Sequence, residues 1–254
     1  MKKLRSSFAR LIMVYFLSSP LAHAQILVKA NGQAIGPRDT TASVVFVEDK
    51  QFLSLTPEAA PKEMVWGTFG SKIESYHGVT AYSNGARKTN RKYQCTELIH
   101  RFLSDVYGIP SKIGQGLGHA KDLAHNIAQR YRSKIGNSPA LGNYQIRLEN
   151  FSNQRSVYPP VVGAIVSMHF NRSKKGYGHV GIIRSITQNE DGSLKATLFD
   201  QHGFIHRKEN IPIQSDVILF KKDTKGNWGG QVTSWLHQSN YEVISWTNPV
   251  MVKK

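Results

Sequence analysis

Residues 91–110 read RKYQCTELIHRFLSDVYGIP and hold the only cysteine of the chain. Counting from Cys95, apolar residues recur with the spacing of an amphipathic helix: Leu98, Ile99, Phe102, Leu103, Val106 and Tyr107. The upstream cations are unfavourable in a first helical turn, so the helix is predicted to begin near Tyr93 or Gln94 and to end before Gly108. Cys95 then lies in the first turn, on the buried face.

This position gives the Cys95 thiol a reason to be reactive. The positive end of the helix dipole, together with Arg91 and Lys92, favours the thiolate, which is the nucleophilic form of cysteine. The alternative is that Cys95 is only a small core hydrophobe, the commoner fate of a buried free cysteine. Cys95 is therefore a candidate nucleophile, and the rest of the chain must decide its role.

The first 24 residues have the pattern of a secretory signal peptide, with basic residues, an apolar run at residues 11–17, and small residues at Ala22 and Ala24. Cleavage after Ala24 leaves 230 of the 254 residues in the periplasm or outside the cell. No cysteine for a lipid anchor follows the cut, and no later apolar run is as long as a membrane span. We expect a secreted protein without a stable membrane anchor, and a monomer.

The predicted mature chain is basic, with a net charge of +12, because four cations of the +16 total lie in the signal peptide. Such a protein is attracted to polyanions such as cell-wall polymers and lipid headgroups, unless the charge serves only solubility. Nucleic acid is the weakest candidate because no aromatic-basic motif is present. Residues 87–92 carry four cations next to Cys95, which either steer an anionic substrate or form a solvated face. A single cysteine in an oxidising compartment cannot form an internal disulfide. Because an unpaired thiol that is kept there needs another role, the cysteine count favours catalysis.

The order of the predicted elements indicates an α+β fold. We expect a small β-rich segment at residues 25–63, a main domain at residues 64–222 and a C-terminal extension at residues 223–254 that packs on it. The extension contains Trp228, Trp235 and Trp246, which we expect to be packed.

Within the main domain, a second amphipathic helix is predicted at residues 119–131, and residues 137–158 are predicted to be irregular. Extended segments are predicted at residues 79–82, 161–170, 179–183, 195–199 and 217–220, and a hairpin before the domain at residues 43–55. Helices followed by antiparallel strands predict helices packed on a sheet.

A cysteine at a helix start becomes a catalyst if a histidine can take its proton and a third polar group orients that histidine. His179 is predicted to begin one strand, and the next strand ends at Asp200. Neighbouring antiparallel strands are about 4.8 Å apart, so Asp200 can reach the imidazole if the register matches.

These segments resemble the CHAP domain, the cysteine, histidine-dependent amidohydrolase/peptidase family of the papain-like clan. The likeness spans about residues 66–220, and its motifs are Tyr93-Gln94-Cys95-Thr96-Glu97 with the downstream Tyr107-Gly108, the segment 160–166 and Gly178-His179-Val180. Residues 79–84 also resemble the amidase domain of glutathionylspermidine synthetase/amidase.

The resemblance implies a papain-like fold, with Cys95 as nucleophile and His179 as general base. Asp200 stands where the family usually has the glutamate of a Glu-Gln-Asn run, and His202 stands where it often has asparagine. The shorter Asp200 side chain leaves His202 as a competing group to orient His179.

We therefore expect a secreted cysteine hydrolase that cleaves an amide bond in the peptide part of peptidoglycan. The Cys95 N–H, with the Gln94 side chain, is expected to hold the oxyanion. The alternatives are an amidase acting on a polyamine amide, which a basic exported protein does not favour, and a non-catalytic wall-binding module. No cofactor or metal is expected, because no histidine pair has the spacing of a zinc motif.

Overall fold

The computed structural model describes residues 25–26, 42–60, 64–65, 67–85, 92–112, 117–132, 144–170, 176–201, 212–213, 216–233 and 241–253. The predicted signal peptide, Trp235, His202 and residues 87–91 of the basic stretch lie outside these ranges.

The described residues contain helices α1 (Cys95–Asp105) and α2 (Ala120–Arg130). The strands are β1 (Gln25–Ile26), β2 (Ala42–Val47), β3 (Lys50–Leu55), β4 (Met64–Val65), β5 (Lys72–Tyr76), β6 (Val79–Tyr82), β7 (Tyr144–Ser152), β8 (Ile165–Phe170), β9 (His179–Gln188), β10 (Leu194–Phe199), β11 (Pro212–Ile213), β12 (Val217–Lys222), β13 (Trp228–Val232) and β14 (Tyr241–Lys253). Both predicted helices are confirmed, and β2, β3, β6, β8, β9, β10 and β12 overlap predicted strands. Neither described helix has the length and apolar character that crossing a membrane requires.

Ten of the described strands form one antiparallel sheet in the order β1-β2-β3-β14-β13-β12-β10-β9-β8, with β7 added to β14. Because β14 pairs with both β13 and β8, the strands β14, β13, β12, β10, β9 and β8 close into a six-stranded barrel. Strands from all three predicted parts of the mature chain thus share one sheet. The division at residues 63 and 222 stays a prediction.

The predicted α+β fold, with papain-like helices packed on an antiparallel sheet, is wrong. The described residues are mostly β, with 47% strand, 14% helix and a closed six-stranded barrel. The prediction failed because β7 lies in the segment predicted to be irregular, and β13 and β14 lie in the predicted extension. Without β13 and β14 the barrel cannot close.

The missed strands differ in how clearly the sequence indicates them. β14 is 13 residues long, contains Pro249 and is buried throughout residues 245–251, so polar and apolar residues do not alternate there. β13 has two adjacent glycines in its middle, which weaken a strand pattern. β7 does alternate, with Ile146 and Leu148 buried, and this period of two could have identified it.

Two apolar cores position the site. One contains side chains from all six barrel strands, including Trp228 and Trp246, which are 4% and 0% exposed. These two tryptophans are packed, as predicted. The other core joins α1 and α2 to the sheet and includes Cys95, Leu98 and Phe102. The candidate nucleophile therefore lies where the helix layer meets the barrel.

Candidate active site

Cys95 is the first residue of α1, and Gln94 is its N-cap. Tyr93 has a φ of 60°, so the chain turns sharply into the helix. The Gln94 carbonyl accepts the backbone N–H groups of Glu97 and Leu98 at 2.9 and 3.2 Å. The Cys95 residue is 7% exposed and lies at the positive end of the helix dipole, as the sequence predicted.

His179 and Asp200 meet at the ends of neighbouring strands. His179 is the first residue of β9, and Asp200 follows the last residue of β10. His179 Nε2 and Asp200 Oδ2 are 2.8 Å apart, and the two residues are only 6% and 2% exposed. The register of β9 against β10, which the sequence did not specify, thus allows Asp200 to reach the His179 ring.

The pairing of β9 with β10 explains how Asp200 reaches the imidazole. Phe199 pairs with Ile182, so the next pair along the ladder is Asp200 with Gly181. His179 lies two residues from Gly181, on the same face of the sheet. A Cβ on Gly181 would lie 3.1 Å from the Asp200 Cβ, so this glycine leaves the space for the diagonal contact.

The His179 imidazole is hydrogen-bonded to two side chains, Asp200 and Cys95. Because Nε2 faces Asp200, Nδ1 is the nitrogen left for the thiol. Burial by itself lowers the pKa of His179, but the hydrogen bonds and charges of Asp200 and Cys95 outweigh it and hold the pKa well above its ordinary value. The site therefore favours an imidazolium, which is the form that can protonate a leaving amine.

Asp216 and Tyr241 also belong to these surroundings, and sequence reasoning missed both. Asp216 is fully buried just before β12, and its carboxylate lies with the ligand atoms of His179 and Asp200 within 4.8 Å of one another. Burial raises the pKa of Tyr241, the first residue of β14, and the charges of His179, Cys95 and Asp216 also act on it.

The His179, Asp200 and Asp216 side chains have the donor types and spacing that a metal ion could use. Such a site would replace the hydrogen bond from His179 to Asp200. The prediction of no metal rested on histidine spacing in the sequence, which cannot register carboxylates from separate strands, and it stays a prediction.

Gln201 connects the Asp200 segment to the start of α1. It is fully buried, and its Nε2 donates to the Gln94 carbonyl at 2.9 Å and to Glu97 Oε2 at 3.1 Å. Its Oε1 accepts the Tyr82 N–H at 2.8 Å and an Arg101 N–H at 3.1 Å. Gln201 was not among the predicted site residues, although it matches the glutamine of the Glu-Gln-Asn run in the resembled family.

An ion pair on α1 supports this amide. Arg101 Nε lies 2.5 Å from Glu97 Oε1, one turn back along the helix. Arg101 also donates to the Thr80 carbonyl at 2.7 Å. The pair therefore joins α1, β6 and Gln201 in one hydrogen-bonded group.

The other predicted site residues are placed less fully. The backbone carbonyl of Gln94 is part of the site, while the oxyanion role of its side chain stays a prediction. His202 lies outside the described residues, so its competition with Asp200 to orient His179 stays a prediction. Of the basic stretch, Lys92 is described, and its ammonium lies 5.1 Å from the centre of the Tyr93 ring.

The comparisons with known proteins agree with one part of this picture. No curated protein matches the chain. Residues 85–202, which contain Cys95, His179 and Asp200, match the family model of the CHAP domain, so the chain contains a CHAP domain. CHAP domains are generally hydrolases, of a family that includes peptidoglycan amidases and peptidases.

Proposed function

We propose that this protein is a secreted cysteine hydrolase that cleaves an amide bond in the peptide part of peptidoglycan through an acyl-enzyme. The observation that carries the proposal is the imidazole of His179, hydrogen-bonded to Asp200 and to a cysteine at a helix N-terminus. A nucleophile, a base and a group that orients the base are the parts that covalent amide hydrolysis needs.

In the first half of the reaction the Cys95 thiolate attacks the carbonyl carbon of the scissile amide. The C–N bond then breaks as the His179 imidazolium gives its proton to the departing nitrogen, which leaves as an amine. The raised pKa of His179 supports this step because it keeps the proton on the ring until the amine leaves.

In the second half the neutral imidazole takes a proton from water, and the resulting hydroxide attacks the thioester. The C–S bond breaks, the carboxylic acid leaves and the thiolate returns. In both halves the oxyanion accepts the backbone N–H of Cys95, which at the first position of α1 has no acceptor within its own helix.

Tyr177 is a candidate substrate contact. It is 67% exposed two residues before His179, and its ring packs edge-on against His119 with centroids 4.8 Å apart. The Tyr177 carbonyl accepts the Lys121 N–H at 3.0 Å, and the following Gly178 has no room for a Cβ. An aromatic ring that is fixed in place and exposed offers a surface for the substrate.

Features of the sequence support the proposed location and partner. The leader at residues 1–24 supports export to the periplasm or beyond, and the net charge of +12 after its removal supports attraction to an anionic wall polymer. We propose that the protein associates reversibly with the wall through this charge.

The test is digestion of purified peptidoglycan by the exported protein, with released fragments identified by mass spectrometry. Wild type is expected to release fragments with new peptide termini, and Cys95→Ala to lower this rate at least about a thousandfold. Ser104→Ala, on the same helix, is the matched control and is expected to retain wild-type activity.

Fragment release by Cys95→Ala would contradict the proposal. A wild-type protein that binds insoluble peptidoglycan but releases nothing would instead be the wall-binding module. Cleavage of glutathionylspermidine without cleavage of peptidoglycan would identify the polyamine amidase.

A further inference from the structure

We infer that Gln201 is a positioning residue for the peptide unit whose N–H stabilises the oxyanion. This inference rests on the proposed function but concerns a residue to which the proposed mechanism assigns no step. The hydrogen bonds of Gln201 described above go to neither the nucleophile nor the imidazole, so its role is indirect.

The Gln94–Cys95 peptide unit carries both the carbonyl that Gln201 contacts and the N–H that faces the oxyanion. A trans peptide is planar, so its C=O and N–H groups point in opposite directions. Helix geometry directs the Gln94 carbonyl into α1, where it accepts the N–H groups of Glu97 and Leu98. The Cys95 N–H therefore points out of the helix start, toward the space where a substrate oxyanion forms.

Gln201 adds a third donor to the Gln94 carbonyl, at 2.9 Å. This donor comes from a different element, so it restrains the peptide plane against rotation about the line that joins the Gln94 and Cys95 Cα atoms. It also polarises the amide, because hydrogen bonds in a chain strengthen one another in a dry environment. Both effects make the Cys95 N–H a better-aimed and stronger donor.

The surroundings of Gln201 specify which way its amide faces. Tyr82 N–H and Arg101 supply donors to Oε1, while Glu97 Oε2 accepts from Nε2. A flipped amide would place donors against donors and oxygen against carboxylate oxygen. Since the side chain is fully buried, water cannot compensate for such a mismatch.

The position in the chain gives the contact a second consequence. Gln201 directly follows Asp200, whose carboxylate bonds His179. One short segment thus holds the base on one side and the oxyanion peptide on the other, so the two parts of the site keep a fixed relation.

Gln201→Met tests the inference because it keeps the size of the side chain and removes its donor. We expect kcat on peptidoglycan to fall about ten- to a hundredfold, less than the 10²–10³ typical of losing an oxyanion donor outright. Alkylation of Cys95 by iodoacetamide forms no oxyanion, so its rate is expected to stay within about twofold of wild type.

A second measurement does not depend on hydrolysis. Because the chain has one cysteine, labelling with ¹⁵N-cysteine gives a single backbone amide resonance. We expect this resonance to move upfield in Gln201→Met, where the Gln94 carbonyl loses its third donor.

The matched control is Asn248→Leu. Asn248 is a fully buried amide of β14 that donates to the Pro159 carbonyl at 2.9 Å, away from the Gln94 peptide. It is expected to lower the melting temperature without moving the Cys95 resonance or kcat. If Gln201→Met does not fold, Gln201→Ala removes the same donor with a smaller side chain and is expected to show the same pattern.

Three results would overturn the inference. They are an unchanged kcat in the Gln201 variants, an unmoved Cys95 resonance, or alkylation that slows in parallel with hydrolysis, which would mean that Gln201 acts on the thiol. An inactive wild type would instead contradict the proposed function, and the resonance would still decide whether Gln201 controls the peptide.

Discussion

The Glu74–Arg184 pair and the Glu97–Arg101 pair use the same charges in different ways. Glu74 and Arg184 join β5 to β9, with side chains only 1% and 2% exposed, and the guanidinium also bonds the Glu58 carbonyl at 3.3 Å. Glu97 and Arg101 are one turn apart on α1, with side chains 11% and 29% exposed.

The difference lies in what each pair holds. Glu74–Arg184 connects residues 110 positions apart in the chain, and the guanidinium lies over the Tyr76 ring at 5.5 Å. Glu97–Arg101 is local, and each of its two side chains hydrogen-bonds Gln201, while Arg101 also donates to the Thr80 carbonyl. The neighbours of a buried charge pair, more than its charges, therefore decide whether the pair stabilises the fold or supports the site.

The largest effect is expected from Glu74→Gln, which leaves the Arg184 charge buried without a carboxylate. Breaking a buried pair in this way costs about 3–5 kcal/mol. For a chain of this size that is a fall of about 10 °C in the melting temperature. At temperatures where the variant stays folded, kcat is expected to remain within about twofold of wild type.

Thermal melts and assays at 20 °C check this prediction together. A loss below about 1 kcal/mol would show that another group compensates Arg184, and the contrast between the pairs would disappear. A large fall in kcat with normal stability would place Glu74 in the site.

Asp200 is a third buried carboxylate, and its partner is the candidate catalytic base His179 in place of an arginine. Asp200→Asn is expected to keep the fold and lower kcat about ten- to a thousandfold, because the imidazole loses its orienting acceptor. His202→Ala is expected to stay near wild type. The opposite result, with His202→Ala impaired and Asp200→Asn active, would make His202 the orienting group.

The same variant has a predicted pH signature. Asp200 helps to raise the pKa of His179, so its removal lowers that pKa and moves the alkaline limb of the kcat/KM profile to lower pH. A raised folded-state pKa contributes stability that is fully present below the unfolded value of about 6.5 and lost as pH rises through the folded value. The stability difference between wild type and Asp200→Asn should therefore be larger near pH 6 than at alkaline pH.

Glu97→Gln makes in the Glu97–Arg101 pair the same change that Glu74→Gln makes in the Glu74–Arg184 pair. The pair is partly exposed, so we expect a loss of only about 1 kcal/mol of stability. We expect kcat to fall about three- to tenfold, because Arg101 and Gln201 are held less firmly. Glu74→Gln should thus have the lower melting temperature and Glu97→Gln the lower kcat. If one variant is lower in both, the two pairs do not have separate roles.

Local sequence patterns predicted the part of the site that is specified locally. The first turn of α1 places Cys95, and the Gly-His-Val-Gly motif places His179 beside a glycine that admits Asp200. The structure brings these three residues together, while their catalytic roles stay predictions. Gln201 could have been found as the neighbour of Asp200.

The parts that could not be predicted depend on long-range pairing. β14 bonds β13, β8, β7 and β3, and none of these contacts is specified by a pattern within its own sequence. Asp216 and Tyr241 reach the site only because β12 and β14 belong to the closed barrel. The fold was predicted as α+β because the helices and strands near the site were identified, while β7, β13 and β14 were not.

The smallest effect is expected at Tyr177, which belongs to neither pair. Truncating a side chain that is 67% exposed changes stability by less than about 0.5 kcal/mol, so Tyr177→Ala should melt like wild type. Loss of one aromatic contact to substrate is worth about 0.5–1 kcal/mol, which is a two- to fivefold rise in KM with kcat unchanged. Phe46→Ala, an exposed ring on β2, is the matched control and should change neither constant. If KM is unchanged in Tyr177→Ala, the ring does not contact the substrate. If kcat falls instead, Tyr177 acts through His179 and belongs with the residues that position the base.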